Sequence, residues 1–310
     1  MPNQTEIRQQ ITDRIVAALK QNLLPWRRPW RAGAGGLPRN IVSRRRYSGI
    51  NVPLLMLSAE TQGFLSPWWA TYNQWQTLGG QVRRGSKGTH VVLYKTIERE
   101  IEDQEAEASH TERFWLLRMF VVFNLDQVDG KALDRFRPVQ VDAGTAAIPD
   151  WGPAEELIIA TKADIRHGGN RAFYRRPTGG EWPNHTGGDF IQVPVKSQFS
   201  DIGGYYGTVL HELGHWSECR LGWSGSYAMG ELIAEMTAAY LTTELDVPQA
   251  EHIENHAAYL QSWLKEMQND PKFIFQASAQ ASKAADYLLG FVHAPEPEPV
   301  PAAEGELLTA

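Results

Sequence analysis

The residues best suited to chemistry lie between Val209 and Trp216, where the sequence reads VLHELGHW. On a helix, positions i and i+4 share one face, so His211 and His215 can present two imidazoles to one metal ion. Glu212 then lies beside that ion, where a general base for a metal-activated water is needed. The flanking leucines suit a buried helix, which favours this interpretation over a chance match at three positions.

A pair of acids on the next apolar segment, residues 227–241, offers a third ligand. A catalytic zinc site usually has three protein ligands and an open position. Glu231 and Glu235 are one helical turn apart on one face. Their E-x-x-A-E pattern resembles that of the gluzincin metallopeptidases, in which the first acid binds the metal. We therefore predict Glu231 as the ligand. Glu235 is predicted to orient a histidine, or alternatively to be the third ligand itself, and the remaining alternative is that one of the two is an ordinary solvated glutamate.

The charge of the chain is divided unevenly along its length. The net charge is −6, yet residues 1–100 carry 15 lysines and arginines against 5 acids, and residues 151–310 carry 10 against 21. A basic first third joined to an acidic remainder indicates a nucleic-acid-binding module attached to something else. The single cysteine, Cys219, excludes a disulfide framework and a cysteine-based zinc site. No apolar run approaches the length of a membrane span, and the polar start is unlike a signal peptide.

The segment between residues 25 and 47 has seven arginines, no acid, two tryptophans and a tyrosine. Arginine pairs with phosphate, and exposed aromatic faces stack on unpaired bases. This combination favours single-stranded DNA over a duplex, although the tryptophans could instead belong to the core. The candidate DNA-binding residues are Trp26, Arg27, Arg28, Trp30, Arg31, Arg44, Arg45, Arg46 and Tyr47, together with Arg83, Arg84 and Lys87 of a glycine-containing turn.

The pattern of apolar residues and turns predicts an α+β protein with two domains. A DNA-binding α/β domain with a small antiparallel sheet covers residues 1–135, with an amphipathic helix over 5–22 and paired strands at 90–97 and 113–123. The acidic residues 98–112 are expected to form a mobile loop. After a linker at 136–150, a mostly helical domain over 151–292 begins with a helix at about 153–166, and residues 293–310 read as a disordered tail.

Several stretches in a specific order are similar to the ArdC-type antirestriction proteins of conjugative plasmids. They are YSGIN at 47–51, WATYNQW at 69–75, GGQVRRGSKG at 79–88, FN at 123–124, HELGH at 211–215, ELIAE at 231–235 and PKFIF at 271–275. The resemblance covers about residues 5–290. It implies an N-terminal single-stranded-DNA-binding domain, a C-terminal zincin-like metallopeptidase domain and protection of incoming DNA from restriction.

Two functions from different classes follow from these features. The first is an antirestriction protein of the bacterial cytoplasm that binds single-stranded DNA and hydrolyses peptide bonds with Zn²⁺, or with Mn²⁺ or Co²⁺. Its peptide substrate would be a host protein, and Tyr205, Tyr206 or Tyr227 would stabilise the oxyanion. The second is a plasmid replication accessory protein whose metal is structural or vestigial. His185, in a Gly/Pro-rich loop, is predicted to be an ordinary surface residue.

Overall fold

The N-terminal half contains most of the strands. The computed structural model describes residues 3–21, 23–26, 36–103, 108–136, 150–178, 183, 187–199, 201–248 and 256–292. Its elements up to residue 136 are α1 (Gln4–Lys20), β1 (Arg39–Asn40), α2 (Asn51–Gln62), β2 (Trp68–Ala70), α3 (Tyr72–Thr77), β3 (Gln81–Val82), β4 (Thr89–Asp103), β5 (Ala108–Asn124) and β6 (Val128–Asp129). One sheet has the order β1-β2-β5-β4, and β3 pairs with β6 in a second sheet.

The helices of this half begin where the sequence signals predict. Asn3 caps α1 and Glu6 closes a capping box with it, so two backbone N–H groups at the helix start are satisfied. Thr71 and Gln74 form the same box at the start of α3. Gly79, with φ of 77°, lies just beyond the end of α3 in the left-handed region that glycine tolerates.

The long hairpin of β4 and β5 corrects one expectation. The predicted pairing of 90–97 with 113–123 is present, but the two strands continue to Asp103 and Ala108, so most of residues 98–112 belong to the ladder. The register places Glu98 opposite Arg113 and Arg99 opposite Glu112. Backbone pairing needs no apolar side chains, and opposite charges at partner positions favour it. An acidic and polar composition was therefore a poor guide to a loop here.

The C-terminal half places helices against a small sheet. Its elements are α4 (Gly152–Thr161), β7 (Ile165–His167), β8 (Phe173–Arg175), β9 (Phe190–Val193), α5 (Ile202–Arg220), α6 (Tyr227–Glu244), α7 (His256–Asn269) and α8 (Phe273–Leu289). The sheet order is β7-β9-β8, with β7 parallel to β9 and β8 antiparallel to it. The helix predicted over 153–166 is too long, because Lys162 ends α4 at φ of 53° and the chain then enters β7.

The two halves share one hydrophobic core. Buried residues of α1 and α2 belong to the same cluster as those of α5, α6 and α8, while a smaller cluster around Trp75 lies beneath α3, β3 and β6. Polar contacts cross between the halves: the Thr12 hydroxyl donates to the Pro271 carbonyl at 2.8 Å, and the Gly49 amide donates to the Ser282 hydroxyl at 2.9 Å. The N-terminal half is therefore packed onto the helices that carry the predicted metal site.

Trp26 is part of this shared core, which corrects its assignment to DNA. Its side chain is 1% exposed and packs edge-to-face on Trp263, with ring centroids 5.9 Å apart. The Trp263 indole in turn donates to the Ala228 carbonyl of α6 at 3.0 Å. A buried ring has no free face for a base, so the prediction that Trp26 stacks on DNA is wrong for this structure. Trp30 lies outside the described residues.

Replacing Trp26 by Ala is therefore expected to act on stability. Removing a buried indole leaves a cavity beside Trp263 of α7, and we expect the free energy of unfolding to fall by about 3–5 kcal/mol. Urea unfolding of the Trp26→Ala variant measures this, and Trp26→Phe, which refills part of the volume, should lose less. An unchanged unfolding midpoint combined with weaker DNA binding would restore the original assignment.

Candidate metal centre

Helix α5 carries the two histidines on one face. Asp201 caps the helix through a hydrogen bond from the Gly204 amide at 2.7 Å. Leu210 and Leu213 are completely buried, so the opposite face of the helix is fixed in the core. His211 and His215 therefore point the same way, with ring centroids 4.9 Å apart.

Glu231 of α6 completes a set of three donors. The Nε2 atom of His211 lies 3.7 Å from one Glu231 oxygen, and the Nε2 atom of His215 lies 3.7 Å from the other. One donor atom from each residue lies within 4.8 Å of the other two. Donors about 2.1 Å from one ion at tetrahedral angles are about 3.4 Å apart. These residues therefore fit a single metal ion with only small side-chain movements.

Gly214 explains how α6 can come so close to α5. A Cβ atom at this position would lie 3.1 Å from the Cα atom of Ala234. A side chain there would be tightly crowded against the backbone of α6, so glycine is the residue that best allows this close approach. The glycine within the HELGH sequence is thus favoured by helix packing.

Each histidine has a second carboxylate on its other ring nitrogen. The Nδ1 atom of His211 lies 3.8 Å from Glu235, and the Nδ1 atom of His215 lies 2.7 Å from Glu218. Carboxylates in this position fix the ring orientation and the tautomer of a metal-binding histidine. Glu218 is 4% exposed and also pairs with Arg176, which follows β8. Sequence reasoning missed Glu218, although its i+3 spacing from His215 was an available signal.

The charges of the site favour a cation at its centre. Burial lowers the pKa of His211, but the neighbouring carboxylates of Glu231 and Glu235 outweigh this and raise it to about 10. For Glu231, burial acts to raise the pKa, but His211 and His215 bring it below its ordinary value. The carboxylates of Glu231 and Glu235 therefore stabilise a positive charge at the point where the three donors converge.

Glu212 lies beside this centre and is 6% exposed. Burial raises the pKa of its carboxyl, and the charges of His211 and His215 oppose this only in part. The nearby backbone of Tyr174 in the edge strand β8 also opposes this rise in pKa. A carboxylate with a raised pKa next to a metal site has the position and the basicity of a general base.

The three candidate tyrosines lie in different surroundings. Tyr205 is hydrogen-bonded to His167 at 2.9 Å, and Tyr206 donates to Glu155 at 2.5 Å, so both hydroxyls are engaged in the core. Tyr227 is 70% exposed, and the pKa of its phenol is raised by hydrogen bonds to Tyr259 and Glu231, together with partial burial. Tyr227 is the tyrosine that the structure brings to the donor set.

Asp189 joins the small sheet to the end of α5. Arg220 donates to its carboxylate at 2.7 Å, and the Tyr174 hydroxyl donates at 2.8 Å. Burial alone would raise the pKa of Asp189, but these two donors lower it below its ordinary value. A depressed carboxyl pKa means that the contribution to stability is present above the unfolded pKa and is lost as the pH falls.

Asp189→Asn is expected to lower stability by about 3 kcal/mol near neutral pH, because the buried Arg220 loses its countercharge. The stability of the variant should also depend less on pH in the acid range. The ionisation of Asp189 no longer contributes to the free energy of unfolding between about pH 5 and pH 1. Urea titrations over that range compare the two proteins. Equal slopes of stability against pH would show that Asp189 is not held in the charged form.

The predicted DNA-binding residues that the structure describes differ in their surroundings. Arg46 is engaged by acids of the other half, with Glu244 at 3.4 Å and Asp286 at 3.1 Å, which corrects its assignment as a free phosphate ligand. Tyr47 is half-buried and packs on the core. Arg45 is half-buried. The guanidinium of Arg44 lies 4.5 Å from the ring centre of Phe136, leaving the side chain exposed.

Two cationic side chains of the glycine-containing turn are exposed to solvent without an acidic partner in the described residues. Arg83 pairs with Asp129 at 3.0 Å, whereas Arg84 and Lys87 are exposed. The predicted residues Arg27, Arg28 and Arg31 lie outside the described residues, as do His185, most of the linker and the proposed tail at 293–310.

Comparison with known proteins agrees with both halves of this description. The model of the N-terminal domain of anti-restriction factor ArdC matches residues 5–123, and that of the zincin-like metallopeptidases matches residues 152–280. The crystal structure of the antirestriction ArdC protein from plasmid R388, solved metal-free, is 36% identical, covers 92% of this chain and 97% of that one, and superimposes with a TM-score of 0.73. A Mn(II)-bound structure of the same protein gives a TM-score of 0.68 at 37% identity over the same coverage.

The chain belongs to the ArdC antirestriction family. The predicted α+β fold with a zincin-like C-terminal domain is confirmed by these matches. The domain limits 1–135 and 151–292 stay predictions, and the matched segments lie inside them. Within the described residues, no helix of this ArdC-family chain is long and apolar enough to cross a membrane.

Sequence relatives of similar length and of much greater length are found. An uncharacterised protein of Sinorhizobium fredii, y4eC, is 33% identical, with 92% of each chain covered. Two Escherichia coli proteins named DNA primase TraC are 36% and 34% identical over 91% of this chain. The ArdC-family chain spans only 27% and 20% of their lengths.

Proposed function

We propose that this ArdC-family chain is a divalent-metal-dependent peptidase whose N-terminal half binds single-stranded DNA. In this proposal it protects incoming plasmid DNA from restriction enzymes in the bacterial cytoplasm. The observation that carries the peptidase part is the convergence of His211, His215 and Glu231 on one point, with the buried Glu212 beside it. Family membership supports the antirestriction part.

The residues around the site have separate tasks in this proposal. His211, His215 and Glu231 would hold the ion, while Glu235 and Glu218 keep the two imidazoles oriented from their Nδ1 sides. When bound, a divalent ion supplies Lewis acidity toward a carbonyl oxygen. A His/His/Glu donor set suits Zn²⁺, and it also admits Mn²⁺ or Co²⁺. The Mn(II)-bound structure of the ArdC relative supports binding of a divalent ion.

Proton transfer and charge stabilisation would come from the chain itself. Glu212 takes a proton from the attacking water at its carboxylate and delivers it to the departing amine, since its raised pKa lets it work in both directions. The exposed hydroxyl of Tyr227, beside Glu231, can donate a hydrogen bond to an oxygen that gains negative charge. The peptide substrate would be a host protein.

A second function deserves a test because of the primase relatives. The chain aligns with a segment of two proteins named DNA primase TraC, which favours a role in plasmid replication with a structural or vestigial metal. A structural metal would not need a buried acid at the position of Glu212. The presence of Glu212 beside the donor set therefore supports the peptidase over this alternative.

The DNA-binding part of the proposal predicts a steep salt dependence. Each phosphate contact releases counterions, so the logarithm of the binding constant should fall with the logarithm of salt concentration by about 0.7 per contact. Fluorescence anisotropy with a labelled poly(dT) strand across a range of NaCl concentrations measures this slope. A flat response, or equal affinity for a duplex of the same length, would count against a single-strand-binding half.

A further inference from the structure

A cleft on the N-terminal half lies beside the glycine-containing turn. It has a volume of about 590 Å³, and its walls include Tyr72, Phe123, Gln81 and the arginines 83 and 84. Sites for small organic groups are commonly about 300–1,000 Å³ and combine apolar walls with a few polar groups. Neither Tyr72 nor Phe123 was among the residues that sequence reasoning assigned to DNA.

The aromatic wall of the cleft is held in place and remains open. Tyr72 is the first residue of α3, and its hydroxyl accepts hydrogen bonds from Gln76 at 3.3 Å and from Gln81 at 3.2 Å. Its ring is 40% exposed and meets Phe123 edge-to-face, with centroids 6.5 Å apart. Phe123 packs on the small core cluster around Trp75. The Tyr72 ring therefore presents a preorganised face to solvent.

The charged wall of the cleft is a tight turn. The Ser86 amide donates to the Arg83 carbonyl at 3.1 Å, and Gly85 has φ of 85°, which together are typical of a type II turn. Arg83 is neutralised by Asp129, which lies opposite Gln81 in the two-stranded sheet. Arg84, in the second position of the turn, is exposed and makes no side-chain hydrogen bond or ion pair with the described residues. The same holds for Lys87, three residues later.

We infer that this cleft binds one unpaired nucleotide of a DNA strand, with the base stacked on Tyr72 and the adjacent phosphates held by Arg84 and Lys87. The inference rests on the proposed single-strand binding and gives it a location. Base stacking needs an exposed aromatic face, and phosphate binding needs cations that are not already paired. Trp26 fails the first requirement and Arg46 fails the second, whereas the cleft meets both. Stacked pairs of a duplex have no free face for Tyr72, so the cleft favours unpaired strands.

The test compares two oligonucleotides of equal length, poly(dT) and an abasic strand with the same number of phosphates. Affinities are measured by anisotropy for the full chain and for the Tyr72→Leu, Tyr72→Phe and Arg84→Gln variants. Arg171→Gln, which removes an exposed arginine of the other half, is the matched control. Tyr72→Leu should bind poly(dT) roughly 5- to 150-fold more weakly, the range for one lost stack, and should bind the abasic strand as the wild type does.

The other variants separate stacking from charge. Tyr72→Phe keeps the ring and should restore poly(dT) binding to near the wild-type value. Arg84→Gln should weaken binding to both strands alike and reduce the salt slope by about 0.7. If the wild type binds poly(dT) but both Tyr72→Leu and Arg84→Gln bind as it does, the cleft is not the site, and single-strand binding itself still stands. If the wild type binds neither strand at low salt, the proposed DNA function fails, and the inference fails with it.

Because Tyr72 contacts α3 and Phe123, its replacement by leucine could disturb the fold. The thermal midpoint of each variant is therefore measured beside its affinity. Arg84 is exposed and has no side-chain partner in the described part of the chain, so its replacement should not disturb the fold. If Tyr72→Leu is unstable, the result for Arg84→Gln decides the test. An Arg84→Gln variant that is as stable as wild type and binds both strands with unchanged affinity and salt slope overturns the inference.

Discussion

Glu212→Gln is expected to abolish most peptide hydrolysis while leaving metal binding nearly unchanged. The substitution keeps the size of the side chain and removes its ability to accept a proton. General base catalysis typically contributes about 10²- to 10⁴-fold, so kcat should fall by that factor. Glu212 is not one of the three converging donors, and the dissociation constant of the metal should therefore change by no more than about threefold.

The assay uses a fluorescence-quenched peptide library, with Mn²⁺ or Zn²⁺ added to metal-stripped protein. Glu156→Gln is the matched control, since Glu156 is exposed on α4 of the same half. It should hydrolyse peptides at the wild-type rate. Wild-type turnover that survives in Glu212→Gln would remove this residue from the chemistry, and a simultaneous loss of bound metal would reassign it to the site's structure.

Glu231→Ala is expected to lose the metal altogether at micromolar concentrations. Glu231 places its two oxygens 3.7 Å from the Nε2 atoms of His211 and His215, so it faces the same point as both imidazoles. Removing one of three protein ligands leaves a two-ligand site, which does not hold a catalytic metal. Isothermal titration of metal-stripped protein with Mn²⁺ or Zn²⁺ measures the change directly.

Glu235→Gln and Glu218→Gln provide the comparison for this prediction. Both acids face Nδ1 atoms, on the far side of the rings, so we expect them to orient the histidines rather than to complete the donor set. Their replacement should weaken metal binding by about 10- to 100-fold without abolishing it. The opposite ranking, with tight binding in Glu231→Ala and none in Glu235→Gln, would exchange the two roles.

The metal site could be predicted from sequence because its geometry is mostly local. The i and i+4 spacing of His211 and His215 fixes their common face once α5 forms, and Glu231 lies on the next helix. What the spacing could not decide was which acid faces which ring nitrogen. That depends on how closely α6 approaches α5, which is set by the contact between Gly214 and Ala234.

Candidate DNA-binding residues were harder to predict because their exposure depends on distant partners. Trp26 and Arg46 belong to a segment rich in arginine and aromatic residues, yet Trp263 covers the first, and Glu244 and Asp286 pair with the second. No local pattern shows which aromatic or cationic side chains the other half will cover. The exposure of Tyr72 was hidden from the sequence for the complementary reason, since its place beside the helix cap Thr71 indicates a helix start and gives no sign of an exposed side chain.

Composition misled in two further places for a simple physical reason. Residues 98–112 are polar and acidic, but the hairpin continues through most of them because the ladder is made by backbone groups, which every residue type in this segment supplies. The helix predicted at 153–166 was too long because Ala163 and Ile165 fit either a helix or a strand. Lys162 adopts the left-handed conformation, which ends the helix, and the chain then enters β7.

The central claim, a metal-dependent antirestriction protein, is tested most directly by conjugative transfer. Unmethylated plasmid DNA is transferred into a restriction-proficient recipient with no chain, with the wild type, or with Glu212→Gln at an equal level of folded protein. We predict that the wild-type chain raises the yield of transconjugants and that Glu212→Gln does so less well. A yield that is the same with and without the wild-type chain, while a recipient lacking restriction shows full transfer, would contradict the account.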